Sequence, residues 1–221
     1  MTRVGVLLSG SGTNLQALID SCKGDFPARI AVVISNKEEA FGLERARAAG
    51  IPAIHIPHRG WGSRAAFEAK LSETLREHGV EWVTCAGFMR ILSPSFLSQW
   101  PWRVLNIHPT LLPAFPGIDG QGQALASGVR IAGASVHFVD SGTDTGPIVA
   151  QGATFVNPGD SRDDLVARIL TMEHKLYPMC LRMAVEGRLQ VKDGAAKVDL
   201  APGEALLLLD PTLLAANPQG A

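Results

Sequence analysis

The chain has 221 residues, room for one α/β domain or at most two small ones. Hydrophobic residues make up 46% of it, enough for a single large core and against disorder throughout. A formal net charge of -1, with no long Lys/Arg run, argues against a nucleic-acid partner. Cys22, Cys85 and Cys180 are scattered and form no C-x-x-C pair. Such a set points to a reducing, cytoplasmic compartment rather than a disulfide framework. No segment approaches the roughly 20 apolar residues of a membrane helix, and the apolar stretch over residues 4–8 is too short for a signal peptide.

Short β-branched runs alternate with longer helical patterns along the first half. Strands are expected over 4–8, 29–35, 52–56, 81–85 and 103–107. Between them, helices are expected over 14–23, 41–49, from Ser63 as N-cap to about residue 78, and over 94–99. The apolar runs are continuous rather than alternating, as in strands buried on both faces. Repeated βα units predict an α/β fold, an open, mostly parallel twisted sheet with helices on both faces. After Pro109 the pattern changes. Residues 110–122 hold two prolines and three glycines and read as a long breaker-rich loop, of the kind that forms lids and binding loops. Two further strands, 131–139 and 147–155, flank a loop over 140–146. A long helix from Arg162 follows, with Ser161 as N-cap and Gly187 closing it. Residues 1–190 are read as one domain. Residues 191–221 are read as an extension, an edge hairpin followed by a frayed tail over 217–221.

Three constellations carry chemistry. Gly10-Ser11-Gly12-Thr13-Asn14 follows a strand and opens a helix, so its backbone N–H groups can face a phosphate. The dinucleotide fingerprint fails twice, with Leu15 where a third glycine belongs and Ser35-Asn36-Lys37 where an acidic residue belongs. A monophosphate site remains, beside the plainer reading of a tight turn capped by Thr13 or Asn14. Asn106 and His108 are two apart on one strand, so both side chains face the same way. Pro109 ends that strand and puts His108 at the carboxyl edge of the sheet, where ligands bind in open α/β folds. An amide and an imidazole aimed at one point can hold a developing oxyanion. Asp144 lies in a glycine-flanked loop. It is either a turn former or a carboxylate that keeps an imidazole protonated. The segment from Cys85 to Leu92 is either core with one snorkelling Arg90 or an apolar slot with exposed backbone for a flat heterocycle. Glu173 and His174 read by default as exposed helix charges.

Together, Ser9–Asn14, Ala86–Pro94, Asn106-Ile107-His108-Pro109, Ser135–Val139 and Asp144-Thr145-Gly146-Pro147 resemble the phosphoribosylglycinamide formyltransferase family over nearly the whole chain. The resemblance implies a Rossmann-like formyltransferase fold. It also implies formyl transfer from 10-formyltetrahydrofolate, the co-substrate, to the amine of glycinamide ribonucleotide in purine synthesis. It implies catalytic roles for Asn106, His108 and Asp144, and ribonucleotide contacts for Gly12, Thr13, Asn14 and Glu173. Folate contacts are implied for Arg64, Met89, Arg90, Ile91, Leu92, Asn106, Asp140 and Asp144. The implied partners are these small molecules, with no metal, no nucleic acid and no membrane, for a monomer or homodimer. The stretch from Gly117 to Gln123 departs from the family's His-containing pattern, and its added glycines are expected to loosen the loop. Two alternatives stand beside this reading. A formyltetrahydrofolate hydrolase would carry a regulatory domain before the first strand. A non-catalytic nucleotide-binding module would give Asn106, His108 and Asp144 no role.

Overall fold

The computed structural model describes residues 1–210; the tail expected over 217–221 lies outside them. In chain order the first half runs β1 (Thr2–Leu8), α1 (Thr13–Ser21), β2 (Ala28–Ser35), α2 (Phe41–Ala48), β3 (Ala53–His55), α3 (Arg64–Glu77), β4 (Trp82–Cys85), α4 (Pro94–Leu97) and β5 (Val104–His108). The second half runs α5 (Gly120–Ala126), β6 (Ile131–Phe138), β7 (Ile148–Phe155), α6 (Arg162–Val185), β8 (Leu189–Lys192), β9 (Ala195–Val198) and β10 (Leu207–Leu209).

Eight strands form one sheet in the order β10-β7-β6-β5-β4-β1-β2-β3. From β3 to β5 all neighbours are parallel. Then β6 runs antiparallel to both β5 and β7, and β10 lies parallel to β7. The mostly parallel sheet expected from the βα repeats is thus present, with an antiparallel wing that those repeats do not describe. The chain leaves β1 toward β2 and β3 on one side and returns to β4 and β5 on the other. That reversal opens a crevice at the carboxyl ends of β1 and β4.

Both faces are covered, which explains the continuous apolar runs. One core sets α1, α2 and α6 against Val4, Val6, Leu8, Leu105 and Val136. The other sets α3 and α4 against Leu7, Ile34, Val83 and Val104. Helix starts follow local chemistry. Ser63 Oγ accepts from the Ala66 N–H at 3.1 Å, and Ser161 and Asp164 form a capping box at the head of α6. The buried Tyr177 hydroxyl of α6 lies within reach of the Cys85 and Leu105 carbonyls, at 2.9 and 3.1 Å. It thereby ties that helix to β4 and β5.

Two features differ from expectation. The breaker-rich stretch is not loop throughout, because α5 begins at Gly120 inside it. The strands β8 and β9 form a separate two-stranded sheet, and the edge of the large sheet is taken by β10. Neither was legible, because a seven-residue helix rich in glycine and a three-residue strand are too short to show a period.

Candidate active site

The crevice is lined from three directions. On the first side, β1 runs into the glycine loop. Gly12 is the N-cap of α1 with φ +72°, and no side chain caps the helix, so neither Thr13 nor Asn14 does the capping. A methyl group at Gly12 would stand 2.6 Å from Gly42 Cα, because the loop is pressed against the start of α2. The uncapped first-turn N–H groups suit an anion. Asn14 turns instead toward α6, where its Nδ2 donates to Glu173 Oε2 at 2.5 Å. Glu173 is only 4% exposed, so the default reading of an exposed helix charge is overturned. Burial pushes its carboxyl up to about 7, against the opposing hydrogen bond from Asn14. Asn14 Oδ1 and His174 Nε2 are buried without a hydrogen-bond partner, orphans of the kind found at ligand sites. Burial, aided by the charge of Arg45, lowers the His174 pKa. His174 too departs from the exposed helix charge expected by default, because it is partly buried near Arg45.

On the second side, the segment after β4 passes Gly87 (φ +76°) and turns along the crevice. Met89 and Ile91 are exposed while Leu92 is buried. The Met89 N–H donates to Ser9 Oγ at 2.9 Å, and Arg64 Nη2 donates to the Ile91 carbonyl. Arg90 lies exposed on the same turn. The core reading of this stretch therefore holds for Cys85, Ala86 and Leu92, with Phe88 packed against them, while Met89, Arg90 and Ile91 face outward.

The third direction is set by β5 and β6. Val104, Asn106 and His108 share one face of β5. Across the antiparallel ladder Asn106 pairs with His137 and His108 with Ser135. His108 Nε2 donates to the Phe115 carbonyl at 3.1 Å, and its Nδ1 stands 3.3 Å from Asp144 Oδ2. Asp144 has φ +55° and also accepts from the Gly117 N–H at 2.8 Å. Its other oxygen lies 3.6 Å from His137 Nε2. Burial raises the Asp144 pKa, but the contact with His137, the Gly117 N–H and the neighbouring imidazoles outweigh it, and the net shift is downward. Asp144 therefore stays ionised beside the two rings.

His137 is the residue that sequence reading left without a role. Its Nδ1–H donates to the Phe138 carbonyl at 2.8 Å, which leaves Nε2 to accept from Asn106 Nδ2 at 3.1 Å. One amide hydrogen of Asn106 is thereby fixed and the other is free to point outward. The signal was present as Ser135 and His137, polar residues at alternate positions of an apolar strand. Only the register of β6 against β5 gives it meaning. Ser135 anchors the chain after His108, with Oγ donating to the Thr110 carbonyl at 2.7 Å and accepting from the Leu112 N–H at 3.0 Å. Asp140 spends its carboxylate inside its own turn, on the Gly142 N–H and the Thr145 hydroxyl.

The stretch from Gly117 to Gln123, expected to be loosened by its glycines, carries several side-chain contacts in the structure. Asp119 caps α5 and pairs with Arg162 Nη2 at 2.7 Å. Gln123 Nε2 donates to the carbonyls of Pro116 and Ile118. Side-chain bonds to backbone replace the order that the sequence pattern lacked.

Known proteins resemble this chain in sequence and fold. The sequence pattern of the formyl transferase family matches residues 2–181. Phosphoribosylglycinamide formyltransferase of Escherichia coli (strain K12) is 45% identical over 195 residues, spanning 88% of this chain and 92% of its own length. The crystal structure of glycinamide ribonucleotide transformylase 1 from Symbiobacterium toebii has a TM-score of 0.88 at 51% identity, over 90% of this chain and 94% of that one. A formyltetrahydrofolate deformylase from Pseudomonas syringae has a TM-score of 0.82 at 29% identity, over 89% of this chain but only 65% of its own. The chain belongs to the formyl transferase family and, within it, to the phosphoribosylglycinamide formyltransferases.

Proposed function

We propose that the chain transfers the formyl group of 10-formyltetrahydrofolate to the amine of glycinamide ribonucleotide, with Asn106, His108 and Asp144 as catalytic residues. One observation carries the assignment of roles. A buried imidazole touches an ionised carboxylate at 3.3 Å, and an amide projects from the same face of the same strand. The carboxylate fixes the ring and the amide stands beside it, so both can donate to one developing oxyanion.

The neutral amine of the ribonucleotide attacks the formyl carbon. A carbon–nitrogen bond forms and the carbonyl π pair moves to oxygen. Asn106 and the imidazolium of His108 hold that oxyanion. To do so, the His108 Nε2–H exchanges the Phe115 carbonyl for the substrate oxygen. The intermediate collapses by breaking the bond to the folate nitrogen. That nitrogen gains a proton and the incoming amine loses one, with Asp144 relaying it through water. Gly12, Thr13, Asn14 and Glu173 form the ribonucleotide half of the site. Arg64, Met89, Arg90, Ile91, Leu92 and Asp140 border the folate half.

The likeness to a deformylase gives a second reading, release of the formyl group to water. One coupled assay decides between them. Formyl loss from the folate should require glycinamide ribonucleotide and should yield the formylated ribonucleotide in equal amount. Formyl loss that proceeds without the ribonucleotide would overturn the transferase reading.

A further inference from the structure

Glu68 lies on the face of α3 that packs toward the sheet, among Phe67, Leu71 and Leu75, and is only 4% exposed. A carboxylate there carries a steep desolvation cost unless donors surround it. Its Oε1 accepts from Arg64 Nε at 3.0 Å and from the Ser93 N–H at 2.9 Å. Its Oε2 accepts from the Ser93 hydroxyl. Ser93 Oγ in turn accepts from the Phe96 N–H at 3.2 Å and caps α4.

These bonds converge on one stretch of backbone. Arg64, held by Glu68, donates through Nη2 to the Ile91 carbonyl. Ser93, two residues on, is held by the same carboxylate. The far end of the stretch is fixed by a different group, since the Met89 N–H donates to Ser9 Oγ and the Ser9 hydroxyl donates to Asn36 Oδ1 at 2.6 Å. The backbone from Met89 to Ser93 is thus a rail clamped at both ends, with Glu68 supplying one clamp. The Arg64 side chain remains 49% exposed beside that rail, so part of its guanidinium stays open to the crevice.

We propose that Glu68 is a positioning residue for the formyl donor, acting through Arg64 and the backbone of Ile91 to Ser93 without touching the reacting atoms. The proposal rests on the folate reading of that half-site. It predicts a selective effect, because none of the hydrogen bonds of Glu68 reaches Asn106, His108, Asp144 or the glycine loop.

The test is Glu68→Gln, with both KM values and kcat measured beside the wild type. Gln keeps the shape and removes the charge that strengthens these bonds. The KM for 10-formyltetrahydrofolate should rise about tenfold, the scale of one charge-assisted hydrogen bond, while the KM for glycinamide ribonucleotide and kcat stay within about twofold. Equal rises in both KM values, or a fall in kcat with an unmoved folate KM, would overturn the role given to Glu68. If Glu68→Gln does not accumulate as folded protein, Ser93→Ala takes its place, with an expected folate KM rise of about threefold. An unmoved folate KM there overturns the proposal. A wild-type enzyme that transfers no formyl group would instead overturn the function proposed above, so the two failures are distinct.

Discussion

The two sides of β5 are built by different rules. Toward β3, strand and helix alternate, every pairing is parallel, and the glycine loop and the turn over Met89 to Leu92 each lie where a strand hands over to a helix. Toward β10, the strands β6 and β7 are joined directly, and the loop between them brings Asp144 back to His108 from 36 residues along the chain. In the proposed reaction the parallel side provides recognition and the antiparallel side provides charge. The strand between them carries Asn106 and His108, so the proposed chemistry falls where the two kinds of pairing meet.

That division can be broken experimentally. His108→Ala should lower kcat by at least about 10²-fold while both substrates still bind, since it removes an oxyanion donor and not a binding contact. Near-normal turnover would show that the boundary strand does not carry the chemistry. Gly12→Ala strikes the parallel side. It puts a methyl group 2.6 Å from the Gly42 backbone at φ +72°. It should cost about 2–3 kcal/mol in denaturant unfolding and raise the ribonucleotide KM rather than lower kcat. A fall in kcat alone would blur the two sides.

Glu173 sharpens the comparison through pH. Its pKa is raised from 4.5 to about 7, so the folded chain favours the neutral form. Wild-type stability from this group is therefore highest below about pH 4.5 and declines until about pH 7, as the unfolded chain releases the proton first. Glu173→Gln cannot ionise, and its stability relative to wild type should climb by on the order of 1–3 kcal/mol across that interval. A difference that stays flat between those pH values would show that the carboxyl is not buried as described. The smallest effect is expected on the antiparallel side. His137→Leu removes the acceptor that fixes Asn106 and should reduce kcat about fivefold with both KM values nearly unchanged. A shift in KM instead would place His137 among the binding groups.

Particular residues show how far the primary structure could be read. Ser63 and Ser161 announced the starts of α3 and α6, because a cap acts on amides within one turn. The pair Asn106 and His108 was legible because alternation along a strand is a local rule. Glu173 was misread as exposed, since a helical pattern gives no hint that α1 will cross it. The contacts of the stretch from Gly117 to Gln123 were not legible, because they join Asp119 to Arg162 and Gln123 to backbone carbonyls through the fold.

Local chemistry thus determined the βα alternation, the helix caps, the glycine loop and the strand that presents an amide and an imidazole together. Each depends on groups a few residues apart, and the chain alone fixes their spacing. Tertiary structure decided which carboxylate meets His108, which imidazole steadies Asn106 and which buried acid braces Arg64. Those partners lie 36, 31 and 4 residues away. Even the nearest owes its effect to distant packing, because the donors of Ser93 reach Glu68 only when α3 packs beside the start of α4.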